Sequence, residues 1–163
     1  MIVADASALI SLATADTLNR FLAEFEVHTA EPAVDELENT AEDDDSHGDA
    51  AETVLANLDW VTTHHVNGNL EFSRVDQGEG CCALLTKKID AEFLITADLR
   101  ALPELQTVAD FRIVISPIVL KALVQRDVLE QEEPLKNLNV LAEQRDWLGT
   151  PNYRCSQKRF GRE

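Results

Sequence analysis

The chain has 163 residues, 45% of them hydrophobic, which fits one globular domain with a real core and argues against global disorder. No apolar run approaches the roughly 18–20 residues that cross a bilayer, and no basic segment leads into a long apolar stretch and cleavage site, so no membrane association and a cytoplasmic location are expected. The 30 acidic and 14 basic residues leave a formal net charge of −16, which taken alone argues against a nucleic-acid partner. Concentrated salt shortens the Debye length to about 3 Å at 1 M and screens such self-repulsion, so the charge predicts a salt-adapted host and loses its force against RNA.

Met1-Ile2-Val3-Ala4 reads as a strand buried on both faces, with Asp5 at its C-terminal tip. Ser7 to Ala15 and Asp16 to Phe25 follow as helical patterns, the second with Leu18, Phe21 and Leu22 on its apolar face. Glu26 to Ala30 is a short strand, and Pro32 opens a helix that carries Glu36. Residues 31–52 hold ten acids and no Lys or Arg, and the run Glu42-Asp43-Asp44-Asp45 reads as a solvated loop. Asp49 to Leu58 is predicted helical, Trp60 to Thr63 a strand, and Val66 to Ser73 a connection. Asp76 caps a helix to about Ile89, with Glu79 at the capping-box position. Phe93 to Ala97 is a strand ending at Asp98, Arg112 to Ile115 another, and Ser116-Pro117 opens a helix burying Ile118, Leu120, Leu123 and Val124. A last helix covers about Pro134 to Trp147, giving a single domain over 1–150 and an irregular basic tail over 151–163.

Strands alternating with helices predict a parallel sheet of four to five strands. Cys81 and Cys82 are adjacent, and with Cys155 they match neither a disulfide framework nor a zinc spacing, so they read as reduced packing residues. His28, His47, His64 and His65 show no metal-ligand spacing and read as structural or exposed. Asp5, Glu36, Glu79 and Asp98 each fall where a predicted strand ends or a helix begins, and ligands gather at such strand tips in open α/β sheets. Crowded carboxylates need a cation, and hard oxygen donors select Mg²⁺ or Mn²⁺. Asp35 and Glu38 compete with Glu36, which the adjoining Val34 and Leu37 favour.

Val3-Ala4-Asp5-Ala6-Ser7-Ala8-Leu9-Ile10, Val34-Asp35-Glu36-Leu37, Asp76-Gln77-Gly78-Glu79 and Leu94-Ile95-Thr96-Ala97-Asp98, in this order and spacing, resemble the PIN domain over about residues 1–125. The resemblance implies a three-layer α/β/α sandwich and a metal-dependent endoribonuclease, in some members a VapC-type toxin with an antitoxin partner, commonly a homodimer. It implies that Asp5, Glu36, Glu79 and Asp98 hold Mg²⁺ or Mn²⁺ and that Ser7 and Thr96 are the accompanying hydroxyls. Where some members carry a second acid after the third motif, this chain has Cys81. Metal-assisted hydrolysis of an RNA phosphodiester is the expected chemistry, with Arg100, and by extension Lys87 and Lys88, near the phosphate. Arg154, Lys158, Arg159 and Arg162 give the tail the opposite charge from the rest, suited to RNA or an acidic subunit. One rival keeps the fold but only binds RNA or protein. A phosphatase would want a second acid two residues after Asp5, where Ser7 stands, and a receiver domain a lysine where Ser116-Pro117 stands.

Overall fold

The computed structural model describes residues 1–67, 77–98, 100, 102–108, 112–115 and 119. Five parallel strands, β1 (Ile2–Ala4), β2 (Val27–Ala30), β3 (Val61–His64), β4 (Phe93–Thr96) and β5 (Arg112–Ile115), lie in the order β3-β2-β1-β4-β5. Between them run α1 (Ala6–Thr14), α2 (Leu18–Glu24), α3 (Glu31–Ala41), α4 (Ser46–Ala56), a 3₁₀ turn (Leu58–Trp60), α5 (Gln77–Lys88) and α6 (Leu102–Val108). The assembly is a three-layer α/β/α sandwich, and its parallel sheet is the one the alternation of strand and helix predicts.

The sheet order explains the layers. From β1 the chain steps outward to β2 and β3, then returns across β1 to β4 and β5. Right-handed crossovers that move in opposite directions place their helices on opposite faces, and the reversal falls between β1 and β4. Val3 pairs with Leu94 and Ala4 with Ile95, so the ends of these two strands are level. All three residues of β1 are buried, which is why the strand is an unbroken apolar run rather than an alternating one. At the edge, Thr62 and Thr63 of β3 are exposed.

The helices follow from local chemistry. Asp5 and Asp45 cap α1 and α4 by accepting from the amides of Ala8 and Gly48. Pro32 sits in the first turn of α3, where no N–H is needed. α1 and α5 both stop at an aspartate with positive φ, Asp16 at 56° and Asp90 at 54°. After α5, the amide of Ala91 reaches Thr86 O (3.0 Å) and that of Asp90 reaches Lys87 O (3.3 Å), the doubled closure usually built around glycine. Leu9, Leu12, Phe21, Leu37 and Leu85 are wholly buried among the helices, each contributing about 1.5–3 kcal/mol of transfer free energy.

Several boundaries move from those expected. Asp45, the last acid of the 42–45 run, is a cap rather than loop, so α4 begins at Ser46 instead of Asp49. Trp60 is 64% exposed on the 3₁₀ turn, and β3 begins one residue later. α6 was not predicted. Asp76, Ser116-Pro117, the helix over 134–147, Cys155 and the basic tail lie outside the described residues. Among the described residues no helix is long and apolar enough to cross a membrane.

Candidate functional site

Asp5 leaves β1 with its amide donating to Ile95 O (3.1 Å), so the tip of the central strand is fixed to β4 before the chain turns into α1. Its side chain is 1% exposed, and Oδ1 accepts from the Ala8 amide (2.8 Å) and from Ser7 Oγ (2.6 Å). The second bond has the length of a charge-assisted contact. Oδ2 is buried as well. The capping role and the strand-tip role thus coincide in one residue.

Ser7 joins the two strand ends. Its Oγ accepts from the Ala97 amide (3.0 Å) and lies 3.4 Å from Thr96 Oγ1, which in turn accepts from the Asp98 amide (3.1 Å). The two hydroxyls that accompany the first and last acids therefore form a short bridge from Asp5 to the backbone of Asp98. Such a bridge fixes the Asp5 carboxylate and the backbone that carries Asp98.

Glu79, in the first turn of α5, is buried, unlike the solvated helix acid that its type alone suggests. Its side chain acts on the Asp98 carboxyl and helps to hold it in the ionised form. Arg100 closes on Asp98 as well: its amide donates to Oδ1 at 2.9 Å, Nε to Oδ1 at 3.3 Å and Nη2 to Oδ2 at 3.4 Å. Partial burial pushes the Asp98 carboxyl up, but the Arg100 hydrogen bonds and charge together with the Glu79 bond outweigh it, and the group sits below its ordinary value.

Cys82, on the same helix, lies near Asp5. Burial first, then the Asp5 charge, pushes its thiol up to about 12 against opposing bonds from the Ala30 backbone and Thr29. Cys82 is an inert packing residue, as expected, and Cys81 is buried beside it. Glu36 is half-buried on α3, whereas its competitors Asp35 and Glu38 are exposed. α3 packs on both α1 and α5, the helices that carry the other acids' surroundings.

The four acids are thus not equally gathered. Glu79 and Asp98 meet directly, Asp5 reaches them through Ser7 and Thr96, and Glu36 stands on the adjoining helix. Among the described residues no three His, Cys, Asp or Glu side chains stand close enough to hold a metal ion. Arg100, expected near a phosphate, has its guanidinium on Asp98, although the side chain is 86% exposed. Lys87 and Lys88 occupy the last turn of α5, where cations complement the helix dipole. Compared with protein-family models, curated proteins and solved structures, the chain matched none.

Proposed function

We propose that the chain is a PIN-type metal-dependent endoribonuclease, with Asp5, Glu79 and Asp98 as the ligands of Mg²⁺ or Mn²⁺ and Glu36 completing the set. The observation that carries this reading is the Glu79–Asp98 carboxyl contact beside the Asp5 strand tip, at the switch point of a parallel sheet. The donor type suits such an ion, since all are carboxylate oxygens; among the described residues no three of these side chains stand within reach of one ion, so binding would draw Asp5, Glu79 and Asp98 together. When bound, the ion supplies activation of water and neutralisation of the scissile phosphate. Ser7 and Thr96 keep the Asp5 and Asp98 carboxylates oriented, and Arg100, once off Asp98, offers a mobile cation to the RNA backbone. A salt-adapted host reconciles this substrate with a net charge of −16.

The test is incubation of the purified chain with total RNA in high KCl plus Mn²⁺. Cleavage that disappears with chelator and in Asp98→Asn supports the reading; no cleavage by the wild type, or equal cleavage by Asp98→Asn, sinks it. A second reading, a PIN-like module that binds RNA or protein without cutting, is favoured by Arg100 lying on Asp98. Mn²⁺ titration of Arg100→Ala separates the two: tighter Mn²⁺ binding than wild type marks Arg100 as a displaceable occupant of a metal site, and no binding by either protein favours the non-cutting module. Toxin activity with an antitoxin partner, and a homodimer, belong to the same proposal and are checked by co-purification and by light scattering.

A further inference from the structure

A second polar group lies on the other half of the sheet, where β2 meets the edge strand β3. In register, His28 pairs with Thr62 and Ala30 with His64, so His28 and His64 project from the same sheet face at diagonal positions of adjacent strands. Their rings meet there. Nδ1 of His28 is 2.8 Å from Nε2 of His64, with centroids 5.1 Å apart and planes tilted by 35°. The outer nitrogen of His28, Nε2, is 3.1 Å from Glu26 Oε1. With neutral imidazoles, Glu26 takes the Nε2–H of His28, which leaves His28 Nδ1 as a lone pair and makes His64 Nε2 the donor. His28 is buried, and His64 is half-buried at the sheet edge.

We propose that His28 and His64 form a two-histidine site for a divalent transition-metal ion of the Zn²⁺, Ni²⁺ or Cu²⁺ class, separate from the carboxylate site. Metal–nitrogen bonds of about 2.0–2.1 Å set two imidazole nitrogens about 2.8–3.0 Å apart at a right angle and about 3.3–3.4 Å apart in a tetrahedron. The 2.8 Å separation here is at the short end of that range. The proton between the rings, which is His64's own, moves from Nε2 to Nδ1 of that ring, and a tilt of the more exposed His64 brings both lone pairs onto the incoming ion. Glu26 already stands as the carboxylate behind His28, the partner that fixes tautomer and ring orientation in histidine metal sites. Imidazole favours this class of ion, whereas the carboxylates near β4 favour Mg²⁺ and Mn²⁺. Water fills the remaining positions, and Lys88 on α5 is a cation that acts on His64. Occupancy clamps the edge strand β3 to β2.

The experiment titrates the full chain with Ni²⁺ and Zn²⁺, read by calorimetry and by Tm, in wild type, His64→Asn, Glu26→Gln and Asp98→Asn. With saturating Mg²⁺ present to occupy the carboxylates, wild type and Asp98→Asn are expected to bind one equivalent and to rise several degrees in Tm. His64→Asn loses both effects, and Glu26→Gln binds about 10–100-fold more weakly. Imidazole ¹⁵N spectra of the unsubstituted chain ask the same question without any variant: Zn²⁺ shifts the resonances of both His28 and His64. Binding retained by His64→Asn, or imidazole resonances that do not move with Zn²⁺, overturns the proposal. Loss in Asp98→Asn alone would assign the ion to the carboxylates and overturn it equally.

Discussion

Arg100 holds both carboxylate oxygens of Asp98, Nε on Oδ1 at 3.3 Å and Nη2 on Oδ2 at 3.4 Å, and Glu79 from the first turn of α5 acts on the same carboxyl. Three groups with a single formal positive charge among them thus stand where a more highly charged ion is proposed to sit. Arg100 offsets part of the carboxylate charge, and the Asp98 side of the arrangement is open to a simple test.

The Asp98 carboxyl is held below its ordinary value, so its ionised form is stabilised by folding. That contribution is fully present above about pH 4, the ordinary carboxylate range, and is lost as pH falls through the lower folded value. Urea unfolding from about pH 5 downward should show wild type losing stability more steeply than Asp98→Asn. Parallel pH profiles would contradict the assignment of this shift.

Ser7→Ala removes the hydroxyl that donates to Asp5 and accepts from the Ala97 amide. It leaves a buried carboxylate oxygen with one bond fewer and strands a backbone donor, a loss of about 1–3 kcal/mol. Denaturant midpoints at neutral pH measure it. Thr96→Val should cost less, because Thr96 has no bond to a carboxylate comparable to the 2.6 Å Ser7–Asp5 contact.

At Gly48, a Cβ would run into the carbonyl of Asp43, a backbone atom that cannot turn aside. Gly48→Ala should therefore destabilise by about 1–3 kcal/mol, although alanine ordinarily improves a helix. The Tm of this variant decides: a rise, or no change, would mean that the turn between α3 and α4 yields freely.

A salt-adapted chain of net charge −16 should melt higher as KCl rises from about 0.1 M to about 2 M, since the repulsion is screened. Each kcal/mol recovered lifts Tm by about 2–4 °C for a chain of this size. A flat Tm across the series would remove salt adaptation from the account.

Asp5, Asp98 and their strands were legible because their signal is local: a short apolar run ending in an acid needs no partner to be recognised. Cys81 and Cys82 were legible as packing residues because their count and adjacency fit neither a disulfide framework nor a zinc spacing. Glu79 was placed on the right helix, but its burial and its bond to Asp98 arise from how α5 lies against β4, which no window of sequence contains. His28 and His64 were read separately as structural or exposed, because only the pairing of β2 with β3 brings residues 36 positions apart to hydrogen-bonding distance. Trp60 drew the expected start of β3 one residue too early, since its large side chain resembles a strand residue although it faces solvent. α6 was missed because Leu102–Val108 is short and includes Pro103 in its first turn, so little periodicity develops.

β1 sits at the centre of the sheet, yet its residues pair with partners very far along the chain on one side: Ile2 with Val27, but also with Phe93. During synthesis the strand waits with an open edge until residues 93–96 emerge, and an all-Val, Ile and Ala edge is a surface on which stray strands can assemble. Closing that gap carries a long loop's entropy before any hydrogen bond repays it, so sheet completion through β4 is the slow step expected of this topology. The acids that would serve catalysis are therefore level only where that long-range pairing has formed, Val3 with Leu94 and Ala4 with Ile95.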